Sequence, residues 1–456
     1  MNTKNFFQSC LFIAVLLTST LLSQTATPPS TGDGTISSPY QISSIENIQW
    51  IAQTPSVWKS HFIQICDIDA SVTKQWRRET GRGFYETFSG LRPIGIDSAF
   101  SGTYDGNGYV IDSMYQYLEN STNTGLALFS QISGATIKNL KITNAIISSY
   151  YYTTSILIAN ASNSTINNCT VSGTVLGEID ITGGLIGRSI NSTISNCHST
   201  ATVSGGNGTG GLIGTFSKGS LEKSSCVAQV KGVMETGGLV GIVGSGSVIR
   251  NCFHQGTVRG NYSVGALFGV IFSNVTVKHC YNSGLTLDES MYDTSGLFGN
   301  LDTTGTVLES IHWDATVAHL PKSYQGSNNP GNTTSKMYQQ ATYTGWDFDS
   351  VWTIEEGVGY PQLRQNSGVM NVRQKRSSAA VVPFTIVIQN NRLLITEKLY
   401  CQVTIMNLQG KICINEQATG LPLHGLPNGH YIAIVKEMKN ATYTLREMIV
   451  PFTLFR

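Results

Sequence analysis

Residues 181–214 read ITGGLIGRSINSTISNCHSTATVSGGNGTGGLIG, and the stretch returns at its end to the motif near its start. The Gly-Leu-Ile-Gly motif at 184–187 recurs at 211–214, 27 residues later. Related glycine-apolar motifs begin at residues 125, 155, 238, 265 and 296, so seven copies follow one another at intervals of 27 to 31 residues. A fixed period in this range is the sequence signature of a solenoid, in which each repeat forms one structural unit.

A cysteine gives most copies a second landmark, 13 to 15 residues after the start of the motif. A short polar residue precedes most of these cysteines, and an aliphatic residue lies three positions earlier, as Ile194 does before Cys197. Residues three apart point to opposite faces of a straight strand. If both face the interior, the chain must bend between them, and asparagine tolerates such a bend.

These spacings predict an all-β fold, in which each repeat forms one coil of a right-handed parallel β-helix. Coils of about 28 residues would stack at about 4.8 Å, with apolar side chains and cysteines in inward ladders. The predicted structural ladder positions are Cys169, Cys197, Cys226, Cys252, Cys280, Gly184, Gly211, Gly238, Gly265 and Gly296.

The flanking sequence predicts the domain order. An apolar run after Lys4 is typical of a secretory signal peptide, and no later run is long enough for a membrane helix. Ser43-Ser44-Ile45-Glu46 predicts the start of a short amphipathic helix that covers one end of the solenoid. The predicted boundaries are 1–25 signal peptide, 26–120 N-terminal cap and first strands, 121–320 repeat β-helix, 321–365 aromatic-rich C-terminal cap, 366–381 linker and 382–456 small C-terminal β-sandwich.

The composition restricts the partners that the chain can have. Only 12% of its 456 residues are charged, and the formal net charge is +1. A nucleic-acid partner would call for a basic surface, so none is predicted. A chain with 47 glycines and 40% apolar residues suits short strands joined by tight turns.

No catalytic, cofactor or metal site is predicted. The cysteines are interpreted as buried thiols that act as small hydrophobic side chains, with disulfides as the alternative and metal binding as a weaker one. A zinc site requires tetrahedral convergence rather than a line of ligands. The turn at Asp105-Gly106-Asn107-Gly108 predicts a hairpin, since it lacks the later glutamate of a calcium loop.

The repeats resemble the GLUG-motif family of bacterial surface proteins, through Gly-Leu-Ile-Gly and flanks such as Phe100–Gly108 and Trp346-Asp347-Phe348. The family also includes immunoglobulin-A proteases, but this sequence has no His-Glu-Xaa-Xaa-His pair. The tail resembles the C-terminal sorting domain of the type IX secretion system, through 403–411 and 426–431. That resemblance implies an export machinery as partner, and a secreted or outer-membrane location in a Gram-negative bacterium.

Two functions are consistent with these patterns. The first is a non-catalytic adhesin or binding scaffold, whose ligand would be a glycan or a host or matrix protein. The second is a carbohydrate-active β-helix enzyme, which would need two carboxylates about 5–10 Å apart. Acidic residues do not recur at one coil position, which favours the first function over the second. A passive envelope spacer is a third possibility.

Overall fold

The computed structural model describes residues 25–76, 88–118, 125–150, 153–288, 294–318 and 331–364, together with seven strands between residues 386 and 454. The chain divides into two compact units, Met1–Met370 and Asn371–Arg456. The predicted linker lies outside the described residues, as does the predicted signal peptide apart from Thr25.

The coils of the first unit build three parallel sheets, which we number by size, and five of the coils contribute a strand to all three. In the coil that begins at Thr182, Thr182–Gly183 lies in sheet 3 and Ile186–Ile190 in sheet 2. Thr193–Ser195 then forms the first arm of sheet 1, and 198–204 forms the second arm. The next coil repeats this order with parallel pairing. The prediction of an all-β fold built on a parallel solenoid is confirmed, and sheet 2 counts seven coils.

The two smaller sheets contain one strand from each coil that they cross. The strands of sheet 2 are Phe129–Ser133, Ile158–Ser162, Ile186–Ile190, Ile213–Ser217, Val240–Val243, Phe268–Ile271 and Phe298–Leu301. The strands of sheet 3 are Thr182–Gly183, Asn207–Gly210, Met234–Gly237, Tyr262–Gly265 and Thr294–Ser295.

Sheet 1 continues toward the N-terminus beyond the repeats, and Phe88–Gly90 pairs antiparallel with Tyr115–Leu118 there. Its 21 strands are Tyr40–Ile42, His61–Gln64, Ile68–Asp69, Phe88–Gly90, Thr103–Asp105, Val110–Asp112, Tyr115–Leu118, Thr136–Lys138, Lys141–Ser149, Thr165–Asn167, Thr170–Gly177, Thr193–Ser195, His198–Ser199, Thr202–Ser204, Ser220–Glu222, Ser225–Lys231, Val248–Arg250, Phe253–Gly260, Thr276–Asn282, Leu285–Asp288 and Val307–Trp313.

A column of residues with positive φ makes the bend between the two arms of sheet 1. Asparagine adopts this left-handed conformation more readily than most residues, which explains its recurrence before the cysteines. The Nδ2 atom of Asn168 also donates to the Oδ1 atom of Asn139 in the preceding coil, at 2.9 Å. The column, with φ between 48° and 54°, is Asn139, Asn168, Asn196, Lys223, Asn251, His279 and Ser310.

The core is a stack of inward ladders that continue from coil to coil. One ladder comes from the first arm of sheet 1 and is fully buried. Burial of each aliphatic side chain contributes about 1.5–3 kcal/mol before the entropy of ordering is subtracted. Its members are Ile137, Ile166, Ile194, Leu221, Ile249 and Val277.

The predicted N-terminal helix is present at Ile45–Gln53, and the side chain of Ser44 caps it by accepting from the backbone N–H of Asn47. Ile48 and Ile51 are fully buried in the same core cluster as the coils. The Nε1 atom of Trp58 donates to the carbonyl of Ile51 at 2.6 Å. The helix therefore joins its apolar face to the solenoid core, as the sequence pattern predicts.

The remaining elements of the first unit are short. They are the α-helices Ala315–Ala318 and Thr334–Met337, the 3₁₀ helices Pro55–Val57, Ser71–Gln75 and Gln340–Thr342, and the antiparallel strands Trp352–Thr353 and Gln362–Leu363.

The strands described in the second unit form two antiparallel sheets. Ile386–Gln389, Arg392–Ile395 and Gly420–Pro422 form one, and Cys401–Asn407, Ile412–Ala418, Gly429–Asn440 and Tyr443–Leu454 form the other.

Candidate binding surface

Four of the five repeat cysteines occupy equivalent coil positions. Thr170 pairs with His198, which brings the preceding Cys169 and Cys197 into register. The pairing of Phe253 with Tyr281 does the same for Cys252 and Cys280. All four side chains are fully buried, directly after the bend between the arms of sheet 1.

Cys226 does not belong to this column, so its predicted ladder position is wrong by two residues. Ser225, not the residue after Cys226, pairs with both His198 and Phe253, which places Ser224 in the cysteine column. The reason is that Lys223 makes the bend in this coil, with φ 48°. The left-handed residue, and not the cysteine that follows it in most coils, therefore fixes the register.

Cys226 instead lies in the neighbouring inward column of the second arm. Its register partners are Ser199 and His254, and His254 pairs in turn with Asn282. All four side chains are buried. The Nδ1 atom of His254 lies 2.8 Å from the Oδ1 atom of Asn282. A polar column therefore runs through the interior beside the thiols.

Glycines face this polar column because a side chain would collide with it. A Cβ atom on Gly211 would lie 2.3 Å from Cys226 Sγ, and one on Gly238 would lie 2.5 Å from the ring of His254. A Cβ atom on Gly296 would lie 2.4 Å from Trp313 Nε1. The predicted ladder position Gly184 faces Ser199 Oγ in the same way, at 2.3 Å.

Gly265 is the second correction to the predicted ladder. It pairs with Gly237 in sheet 3, one residue before the position of Gly238. Three earlier coils carry two glycines in succession at this point, and here the second is replaced by Ala266. The predicted position is displaced by one residue because the coil from Gly238 to Ala266 is one residue longer than the two before it.

The inward cysteine side chains are buried thiols that interact with the backbone. The Sγ atom of Cys197 donates to the carbonyl of Ser195 at 3.2 Å, and that of Cys252 donates to the carbonyl of Arg250 at 3.1 Å. Burial raises the pKa of the Cys226 thiol far above its ordinary value, so the thiolate that a metal requires is disfavoured. Within the described residues, no three His, Cys, Asp or Glu side chains converge as a metal site would require.

The Asp105–Gly108 turn is not the predicted hairpin. Asn107 has φ 52°, and the turn joins strands that pair with different neighbours, one at His61–Gln64 and one at Ile68–Asp69. The Oδ2 atom of Asp105 lies 3.1 Å from Lys138 Nζ, so this carboxylate already has a cationic partner.

The aromatic-rich segment 331–364 covers the outer face of the last coils, whereas the sequence predicted that it would close the open end. Phe253 and Tyr281 point outward from the second arm, with ring centroids 5.1 Å apart, and Trp352 packs against both. The Tyr281 hydroxyl donates to the carbonyl of Pro361 at 2.6 Å. These contacts reach back over more than one coil, which an end cap would not do.

Two histidines lie at the edge of this aromatic cluster. His312 Nε2 lies 3.1 Å from Ser310 Oγ, and the ring lies edge-on to Tyr343. Burial lowers the pKa of His312 to about 4. His279 Nε2 lies 3.7 Å from Glu309 Oε1. His312 thus packs against the aromatic cluster and His279 lies beside a carboxylate, while His254 is fully buried inside the solenoid.

The most distinctive exposed surface lies where the second arm of sheet 1 turns into sheet 3. Val233, Met234 and Tyr262 are 43%, 40% and 48% exposed there. Lys231 and Arg259 point outward beside them and are register partners in adjacent coils. We call these five residues the corner row. Clustered exposed apolar side chains mark interaction sites more often than scattered ones do.

Sequence reasoning missed the corner row because it followed what the coils share. Residues 203–208 read Val-Ser-Gly-Gly-Asn-Gly, and the equivalent residues 230–235 of the next coil read Val-Lys-Gly-Val-Met-Glu. The signal that could have found the row is therefore a change from small residues to apolar and charged ones at one coil position.

Within the described residues, no helix is both long and apolar enough to cross a membrane.

Comparison with known proteins gives one family match and one relative in sequence. The GLUG motif matches residues 181–204, which form one coil. Halomucin of Haloquadratum walsbyi is 32% identical over 157 residues, which make up 34% of this chain and 2% of halomucin. The chain thus spans only a small fraction of that relative.

Two solved structures are also similar. One, described as an immunoglobulin A1 protease of Bacteroides ovatus, is 19% identical, with 74% of this chain and 95% of that chain covered and a TM-score of 0.48. The other, named IgA1 protease, is 17% identical, with 60% and 21% covered and a TM-score of 0.38. Neither similarity is strong enough to carry an activity to this chain. The chain is thus a β-solenoid that contains a GLUG motif.

Proposed function

We propose that the chain is a surface or secreted repeat protein whose solenoid is a rigid scaffold for binding an extracellular ligand. The observation that carries this proposal is the corner row, in which exposed apolar and cationic side chains stand side by side on adjacent coils. The similarity to halomucin supports a surface or secreted location.

The fold suits a scaffold because its backbone is fixed independently of its outer side chains. The inward ladders and the column of left-handed residues hold each coil in register. Outward positions are therefore free to vary without loss of the core, and a ligand meets side chains spaced at about 4.8 Å.

A binding array of glycans and matrix proteins, probed with the whole chain, tests this proposal. The variant Tyr262→Ala should lose the signal of the true ligand. The matched control is Phe272→Ala, which removes an equally exposed aromatic ring elsewhere on the coils. If the binding signal is as strong for Tyr262→Ala as for Phe272→Ala, the corner row is not the binding surface.

A carbohydrate-active enzyme is the second candidate, and Glu235 is the observation that favours it. This carboxylate follows Met234, has φ 55°, and burial raises its pKa above the ordinary value. A raised pKa is a property of general acids in glycoside hydrolysis. Polysaccharide hydrolysis that disappears in Glu235→Gln would establish this function, whereas no hydrolysis of any substrate in the screen would leave the scaffold role.

Export through the tail is a further part of the proposal. The chain with residues 382–456 deleted should accumulate inside a host that carries a type IX secretion system, while the intact chain should leave the cell. Equal export of both would remove the proposed role of the tail as a sorting signal.

A further inference from the structure

The corner row combines positive charge with an apolar face. Lys231 and Arg259 pair in register, so their side chains leave the second arm one coil apart. Lys231 makes no ion pair within the described residues. Among the acidic residues of the neighbouring coils, Glu235 is half-buried, Glu178 and Asp180 lie two coils earlier than Lys231, and Asp288 pairs in register with Gly260, one residue after Arg259.

The apolar members of the row are exposed and lie on adjacent coils. Met234 and Tyr262 are register partners, and Val233 precedes Met234. Aromatic and aliphatic side chains of this kind stack against the C–H faces of sugar rings, and the tyrosine also offers a hydroxyl. Asn207 lies in the preceding coil, where it is exposed and pairs in register with Met234. Its amide can form hydrogen bonds with the hydroxyl groups of a sugar.

The backbone of the corner is already committed to neighbouring coils. The N–H of Val233 donates to the carbonyl of Gly206 at 2.9 Å, and the N–H of Tyr262 donates to the carbonyl of Val233 at 3.2 Å. A peptide that adds to a sheet needs an open strand edge with unpaired backbone groups. The corner offers only side chains, which favours a ligand recognised by rings and charges over an extended peptide.

We propose that the corner row binds an anionic polysaccharide. Its sugar rings lie against Met234 and Tyr262, and its acid groups lie against Lys231. Because the row spans two adjacent coils, a chain polymer can contact both at once, and weak contacts add up. This inference rests on the proposed function and names the ligand class of the same surface.

Polygalacturonate, a carboxylated sugar polymer, is the probe, with neutral dextran and poly-L-glutamate as comparisons. The intact chain should bind polygalacturonate in a salt-dependent manner and should not retain dextran. Lys231→Gln and Tyr262→Ala should each weaken binding about tenfold, equivalent to about 1.4 kcal/mol. Lys141→Gln and Phe272→Ala, which change exposed side chains elsewhere, should leave it unchanged.

The comparison polymers separate the outcomes. Binding of poly-L-glutamate that equals polygalacturonate binding and ignores Tyr262→Ala would overturn the inference, since charge alone would then explain it. A neutral glycan or a protein that requires Tyr262 would overturn the inference but preserve the proposed function. If no ligand on the array responds to Lys231 or Tyr262, both fail.

Discussion

The imidazole of His254 and the amide of Asn282 are hydrogen-bonded inside the solenoid, with Nδ1 2.8 Å from Oδ1, although they are 28 residues apart in the sequence. The orientation of the amide is fixed from its other side. Its Nδ2 atom donates to the carbonyl of Gly284, and its Oδ1 atom accepts from the N–H of the same glycine. The pair satisfies Nδ1 of His254 and the Asn282 amide, whereas the buried Nε2 atom of His254 has no hydrogen-bond partner among the described residues.

This pair predicts that the folded chain loses stability as the pH is lowered from 7 to 4. Burial lowers the pKa of His254 to about 4, and the hydrogen bond to Asn282 offsets only part of that effect. In the unfolded chain the pKa is about 6.5, so between these values the unfolded state binds the extra proton. The contribution of His254 to the free energy of unfolding should therefore fall by about 3 kcal/mol as the pH drops from 7 to 4.

Chemical denaturation over this pH range measures the effect. His254→Gln should have a flatter profile between pH 6.5 and 4.5, whatever its absolute stability. His312 titrates in the same window, since burial lowers its pKa to about 4 as well, so the double variant His254→Gln/His312→Gln should be flatter still. Parallel profiles for the single variant and the wild type would show that His254 does not stay neutral in the fold.

In the coil that begins at Val264, substitutions at the neighbouring residues Gly265 and Ala266 should differ in how much stability they cost. A Cβ atom on Gly265 would lie 2.0 Å from the carbonyl oxygen of Phe268, so Gly265→Ala should cost at least about 2 kcal/mol through strain. Ala266 already carries a Cβ atom, so Ala266→Gly should cost only about 1 kcal/mol. Thermal unfolding of the two variants compares them, with Gly359→Ala, where nothing lies within 4 Å, as the control. A larger loss for Ala266→Gly would reverse the assigned register.

Much of the fold was predictable because each coil of a solenoid uses the same packing and the same bend. The period of about 27–31 residues fixed the coil, and asparagine before cysteine indicated the bend, as φ of 52° at Asn196 confirms. What failed was local: Cys226 and Gly265 resemble their neighbours by residue type but not by register. A landmark residue can be replaced, whereas the conformation that closes a coil cannot.

The packing of the aromatic segment and the corner row could not be predicted from the sequence, for a different reason. The Nε1 atom of Trp352 donates to the Oδ1 atom of Asn251, which lies 101 residues earlier in the sequence, and no periodicity encodes such a contact. The corner row is a departure from the repeat, so a search for conserved spacing passes over it. Function in repeat proteins belongs to such departures, because the shared positions are used by the core.

Lys223 predicts a stabilising substitution. It occupies the bend with φ 48°, a conformation that costs most residues about 1–2 kcal/mol and that asparagine accepts more readily. Lys223→Asn should therefore raise the free energy of unfolding by about 1 kcal/mol, and it would extend the run of asparagines between Asn196 and Asn251. The control Lys141→Asn lies in a strand of sheet 1 and should gain nothing. A loss of stability in Lys223→Asn would mean that the lysine side chain has a role that the bend does not explain.

The cysteines predict a graded pattern of alkylation. Cys169, Cys197, Cys226, Cys252 and Cys280 are fully buried, whereas Cys66 is only partly buried. Reaction requires an accessible thiolate, and burial raises the pKa of Cys226 strongly. In the folded chain, iodoacetamide should therefore modify Cys66 while the five interior cysteines stay unmodified, as peptide mass spectrometry can measure. After denaturation without reductant all six should react, because each is a free thiol. Interior cysteines that resist even then would instead be disulfide-linked, and the pair affected should be Cys169 with Cys197 or Cys252 with Cys280, since only these are adjacent in register.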